Sequence, residues 1–123
     1  VEGFLQALLG RNPRNRLAFE LLMAEYLKTC RPDAVVANLP RLKDFAYPRI
    51  PRHYQEAMIV HAGAARRPLA DLAGIDPEVL ARYREFRRIW GTAPNPQAAE
   101  AAISNAGLGD SYFCYCAFGC SER

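Results

Sequence analysis

Along this chain of 123 residues, proline falls where a helix can begin. Proline at the first helical position gives up only an amide that would have no partner anyway, and asparagine or aspartate beside it can cap the turn. Asn12-Pro13, Arg31-Pro32-Asp33, Ile50-Pro51, Asp76-Pro77 and Asn95-Pro96 each stand before a segment of helical character. Stop signals follow at Gly10, Cys30, Tyr47-Pro48, Gly63, Gly91 and Gly107. Together they predict six helices over residues 1–9, 13–29, 33–46, 51–64, 77–90 and 96–106. Pro40 lies inside the third, where a missing amide should bend the helix or split it after Asn38. Period-two alternation is confined to Tyr112-Phe113-Cys114-Tyr115-Cys116, which leaves an all-α fold.

Apolar residues recur at the helical period in three stripes: Phe19, Leu22, Met23, Tyr26 and Leu27; Tyr54, Ala57, Met58 and His61; Val79, Tyr83, Phe86 and Trp90. All three read as core. The first two match position for position at an offset of 35 residues. Such a period marks helical hairpins that cannot bury their apolar faces alone and stack on one another. After the second copy the spacing slips, because the stretch from Arg66 to Gly74 lengthens the connection. Half the residues are apolar and 24% are charged, so the chain can close one core and is not of the disordered class. We therefore expect a single domain over 1–123, with degenerate repeats at about 13–48 and 49–90 and flanking helices at 1–9 and 96–106.

Phe19, Leu22, Met23 and Tyr26, a turn at Cys30, then Val35, Leu39, Leu42 and Pro48 resemble the tetratricopeptide repeat over roughly residues 13–65. Met23 and Val35 depart from it, standing where that family favours Gly or Ala. The resemblance implies a short α-solenoid of antiparallel hairpins, with the apolar C-terminal segment docked on the last pair. A longer stretch, Asn12 to Leu27 followed by Pro51-Arg-His-Tyr-Gln-Glu-Ala57 and Gly109-Asp-Ser-Tyr-Phe113, is similar to the end of an uncharacterised bacterial family. That resemblance implies a helical tail joined to a multi-spanning membrane portion, with no catalytic residue assigned. Val1, with no initiator Met and already inside a helical pattern, fits the expectation of a piece of a longer chain. No stretch here has the roughly 20 consecutive apolar residues of a membrane span.

Four cysteines, Cys30, Cys114, Cys116 and Cys120, with His53 or His61, are the material for a zinc site. The spacing lacks the two separated knuckles of such sites, and Tyr112, Phe113, Tyr115 and Phe118 around it suggest thiols acting as small hydrophobes. We expect no metal. The two histidines stand eight apart rather than four, and His61 takes the repeat position of Tyr26, so a packed, hydrogen-bonded ring is expected there. Phosphate loops, dinucleotide fingerprints and nucleophile elbows are absent from the sequence. Asp71 and Asp76 read as turn and capping residues. We expect no enzyme and no cofactor.

Arg82, Arg84, Arg87 and Arg88 crowd the fifth helix, which makes a nucleic-acid surface the alternative reading. Glu78 and Glu85 stand at pairing distance from Arg82 and Arg88, and the net charge is only +3, so a self-paired, solvated face accounts for them. A solenoid offers a groove suited to a protein or peptide partner. With Phe4, Leu5 and Leu8 packed on the second helix, the expected contacts are Arg16, Glu20 and Arg52 at the groove rim, with Arg84 and Arg88 on the fifth helix.

Overall fold

The computed structural model describes residues 2–12, 14–68 and 72–119. Among them, regular structure is entirely helical: α1 Glu2–Arg11, α2 Arg16–Lys28, α3 Pro32–Asn38, a 3-10 helix Leu39–Phe45, α4 Arg52–Ala64, α5 Pro77–Thr92, α6 Pro96–Asn105 and α7 Tyr112–Cys114. A π-helical turn over Tyr115–Gly119 continues α7, so the terminal alternation is not a strand. Its side chains pack locally on the helices beneath it, with no second strand alongside to satisfy extended backbone. Pro40 splits the third helix after Asn38, and the tighter 3-10 coil carries the chain to Phe45.

Local chemistry sets the ends. The Asn15 side chain accepts from the amide of Ala18 at 3.1 Å, so α2 starts at Arg16, later than the Asn12-Pro13 signal indicated. Asn95 caps α6 through the amide of Ala98 at 2.8 Å. Gly63 and Gly91 lie within α4 and α5 and do not end them. Helices α2 and α6 close on Cys30 and Gly107, as their stop signals indicated, and α4 closes on Arg66; the three φ angles are +55°, +77° and +56°. In each, the next amide reaches back five residues: Arg31 to the Tyr26 carbonyl, Arg67 to Ala62 and Leu108 to Ile103.

Each α-helix packs on the next from α1 to α6, and α7 returns to pack on α4. Two apolar clusters result. One gathers Leu5, Phe19, Leu22, Val35, Phe45 and Ala57, the other Ile59, Val79, Phe86, Ile89 and Ile103. Helix α4 stands between them and buries every residue from Tyr54 to Ile59. The adjacent residues Tyr112 and Phe113 divide, Tyr112 joining the first cluster and Phe113 the second. Among the predicted core residues, Phe19, Leu22, Tyr26, Tyr54, Met58 and Phe86 are buried, whereas Tyr83 is partly exposed. Trp90 is 44% exposed and lies parallel to Phe86 at the end of the stripe, where α5 has passed the second cluster. Leu5 is buried and Leu8 half-buried on the first cluster, but Phe4 faces outward at 67% exposure because it sits on the far side of α1.

Candidate functional site

Helix α4 carries two polar residues outside its apolar stripe that are nonetheless buried, Gln55 and Glu56. Gln55 is fully engaged: its amide donates to the Ile50 carbonyl (2.7 Å) and to Asp76 (3.2 Å), and its oxygen accepts from the Asp76 amide at 2.7 Å. It fixes the connection before α5. Asp76 therefore holds the N-cap position of that helix without a side-chain cap.

Glu56 has no solvent exposure. Its Oε1 accepts from the main-chain amide of Tyr112 at 3.0 Å and faces Nδ1 of His53 at 3.0 Å. A carboxylate can only accept, so Nδ1 carries the proton of that bond. Its Oε2 lies 4.0 Å from Nε of Arg52 and has no hydrogen bond among the described residues. Nearby, Asp110 takes Arg52 on one oxygen (3.1 Å) and Arg82 on the other (2.9 Å). The hydrogen bond from Arg52, with Arg82 adding to it, holds the Asp110 carboxyl below its usual range. Arg82 is thus drawn to the loop before α7, away from Glu78, because that pairing joins α5 to the segment lying on α4. The Ser111 hydroxyl donates to the Leu108 carbonyl at 2.7 Å and accepts from the Cys114 amide, capping α7.

These contacts bound a cleft of about 390 Å³ between the end of α2, the start of α4 and α7. Leu27, Tyr112 and Tyr115 form its apolar walls, and Lys28, His53 and Asp110 supply its charged and ionisable groups. The two tyrosine rings lie nearly parallel, 6.1 Å apart. Tyr115 also donates its hydroxyl to the Lys28 carbonyl, closing one end of the cleft onto α2. A second hollow of about 490 Å³ between α4 and α5 is lined mainly by apolar groups, and its cation, Arg87, is 5.8 Å over the Tyr83 ring.

The sequence-predicted contacts fall in three places. Arg16 and Glu20 meet each other at 3.6 Å, with Arg16 over the Tyr47 ring and the Tyr47 hydroxyl donating to Glu20. Arg52 belongs to the Glu56 and Asp110 network beside the cleft. Arg84 and Arg88 are exposed on α5, and Arg88 pairs with Glu85 as its spacing indicated. His61 is half-buried and makes no hydrogen bond among the described residues, unlike the bonded ring expected.

Of the cysteines, Cys30 is disulfide-bonded, and Cys116 places its sulfur 3.8 Å from that of Cys30. Burial pushes the Cys114 and Cys116 thiols up. Among the described residues no three of His, Cys, Asp or Glu converge as metal ligands. Val1, Pro13, Asp71 and Cys120, with the side chain of Phe118, lie outside the described residues. Among the described residues, no helix is long and apolar enough to cross a membrane.

No curated protein and no solved structure gives a match to the chain. A family model does, over residues 1–119. On that match the chain belongs to the DUF6057 family, a family of unknown function.

Proposed function

We propose that this domain is a protein interaction module that takes a segment of a partner polypeptide in the cleft between α2, α4 and α7. One observation carries the reading: the cleft is open, apolar-walled and in the size range of ligand sites, while Asp110 and the Ser111 hydroxyl in its lining are already engaged within the chain. The Ser111 hydroxyl is committed to capping α7, and among the described residues the hydrogen-bond partner of the His53 ring is the Glu56 carboxylate rather than a hydroxyl or thiol. That favours binding over catalysis. The packing of each helix on the next supports a tetratricopeptide-like hairpin array, closed here by the return of α7. The resemblance of the chain to the tail of a membrane-anchored family would place such a module beside a membrane. On α5, Arg88 is held by Glu85 and Arg87 by Tyr83, which weakens the case for a nucleic-acid surface.

A titration of isotopically labelled protein with a pool of random linear peptides tests the reading. Amide and ring resonances of Leu27, Lys28, His53, Tyr112 and Tyr115 should shift together. Shifts confined to other surfaces, or hydrolysis of the peptides, would overturn it.

A further inference from the structure

The cysteines among the described residues differ in state and in surroundings: Cys30 is disulfide-bonded, while Cys114 and Cys116 are thiols. Cys30 stands at the end of α2 with φ +55°, and Cys116 lies in the π-helical turn that continues α7. The Tyr115 hydroxyl donates to the carbonyl of Lys28, two residues before Cys30, and so draws that turn onto the end of α2. The Cys116 sulfur is thereby held 3.8 Å from that of Cys30, close to contact for two sulfurs that share no bond. Cys114 takes the other direction: it packs on the second apolar cluster, whereas Cys116 packs on the first.

A thiol so close to a disulfide sulfur is placed for exchange, in which a thiolate attacks one sulfur of the bond and the other leaves. Burial pushes the Cys116 thiol up, and the Tyr112 hydroxyl beside it acts in the opposite sense. Its thiolate is therefore scarce at neutral pH, and position rather than acidity is what favours Cys116 as the attacking group.

We propose that Cys116 is the attacking thiol of an internal disulfide exchange at Cys30, which moves the bond to the Cys116 sulfur and locks the turn after α7 onto the end of α2. The step balances within the chain. Cys116 gives up its proton and its sulfur bonds to Sγ of Cys30. The bond from Cys30 to its present cysteine breaks, the electron pair goes to that cysteine's sulfur, and a proton is taken up there. One disulfide and one thiol enter and one of each leaves, so no oxidant or reductant is consumed. The new bond adds a covalent tether to the Tyr115 hydrogen bond, beside the cleft wall formed by Leu27 and Tyr115.

The test uses the whole chain with its disulfide formed, incubated folded at about pH 8, where thiolate is available to attack. Acid quenching, capping of thiols with N-ethylmaleimide and non-reducing chymotryptic mapping by mass spectrometry then read which cysteine holds Cys30. Cleavage after Phe113, Tyr115 and Phe118 puts Cys114 and Cys116 on separate peptides. Linkage of Cys30 to Cys116 should appear and exceed linkage to Cys114 about tenfold or more, the advantage that a fixed position gives an attacking group. Incubation in guanidinium should erase that preference, because only the fold separates the two thiols. Cys116→Ser should leave Cys30 in its original linkage rather than pass it to Cys114, with circular dichroism checking the fold. Absence of the Cys116 linkage, equal linkage to Cys114 in the folded chain, or a preference that persists in guanidinium would overturn the proposal.

Discussion

The main-chain amide of Tyr112 donates to the carboxylate of Glu56 at 3.0 Å, and that bond pins the C-terminal segment to the middle of α4. Both groups are buried, so neither has water as a substitute. Glu56→Ala should therefore cost about 2–4 kcal/mol, because it leaves an amide unpaired and opens a void. Glu56→Gln keeps an oxygen for the amide and should cost less. Urea denaturation followed by circular dichroism would show both as lower midpoints at unchanged slope, with alanine the lower.

Asp110 gives a pH signature. Its folded carboxyl is held below the usual value by Arg52 and Arg82, so the stability it adds is fully present above the unfolded value and is lost as pH falls through the folded one. The site is exposed, which limits the effect to under about 1 kcal/mol. Asp110→Asn should lower the unfolding midpoint at pH 7, and the gap from wild type should close as the pH drops below about 4. A gap that stays constant down to pH 2 would contradict the assignment.

Helix ends offer gains. Ala46 and Arg66 hold left-handed backbone at φ +55° and +56° without being glycine. Replacing either by Gly should raise stability by roughly 0.5–1 kcal/mol, as relief of the side-chain clash exceeds the added freedom of the unfolded chain. Thermal melts of the two single variants and the double would measure it.

Gly74 presents the opposite case. Its φ is +85°, and a Cβ there would stand 2.8 Å from Cδ1 of Ile50. Gly74→Ala should cost about 1–3 kcal/mol from backbone and contact together. Ile50→Val removes Cδ1, so the double variant should be less destabilised than the sum of the singles. Additive losses would mean that the backbone alone is responsible.

Much of the helical order is legible from single residues. Asn95 caps where its neighbour Pro96 places it, and Pro40 breaks the third helix after Asn38, since both effects are local. The offset between the Phe19 and Tyr54 stripes likewise marks two helices with corresponding buried faces. The candidate cleft is not legible in this way. Gln55 and Glu56 look solvated because a period of 3.6 reveals one buried face, and α4 acquires its second only when the Asp76 connection and α7 fold onto it. Asp110 and Arg82 are 28 residues apart and no helical spacing relates them. Arg66 stands where Gly is the usual stop, so it does not announce its left-handed turn.

The return of α7 to α4 also sets an order for folding on the ribosome. Synthesis delivers Glu56 long before Tyr112, which follows 56 residues later, or roughly three to eleven seconds at ordinary elongation rates. During that interval α1 to α4 can associate, but Glu56 lacks the amide that holds it and Ile59 lacks Phe113 among its neighbours. Until the last segment arrives, the nascent chain thus carries a carboxyl group and an unfilled apolar face side by side on one helix.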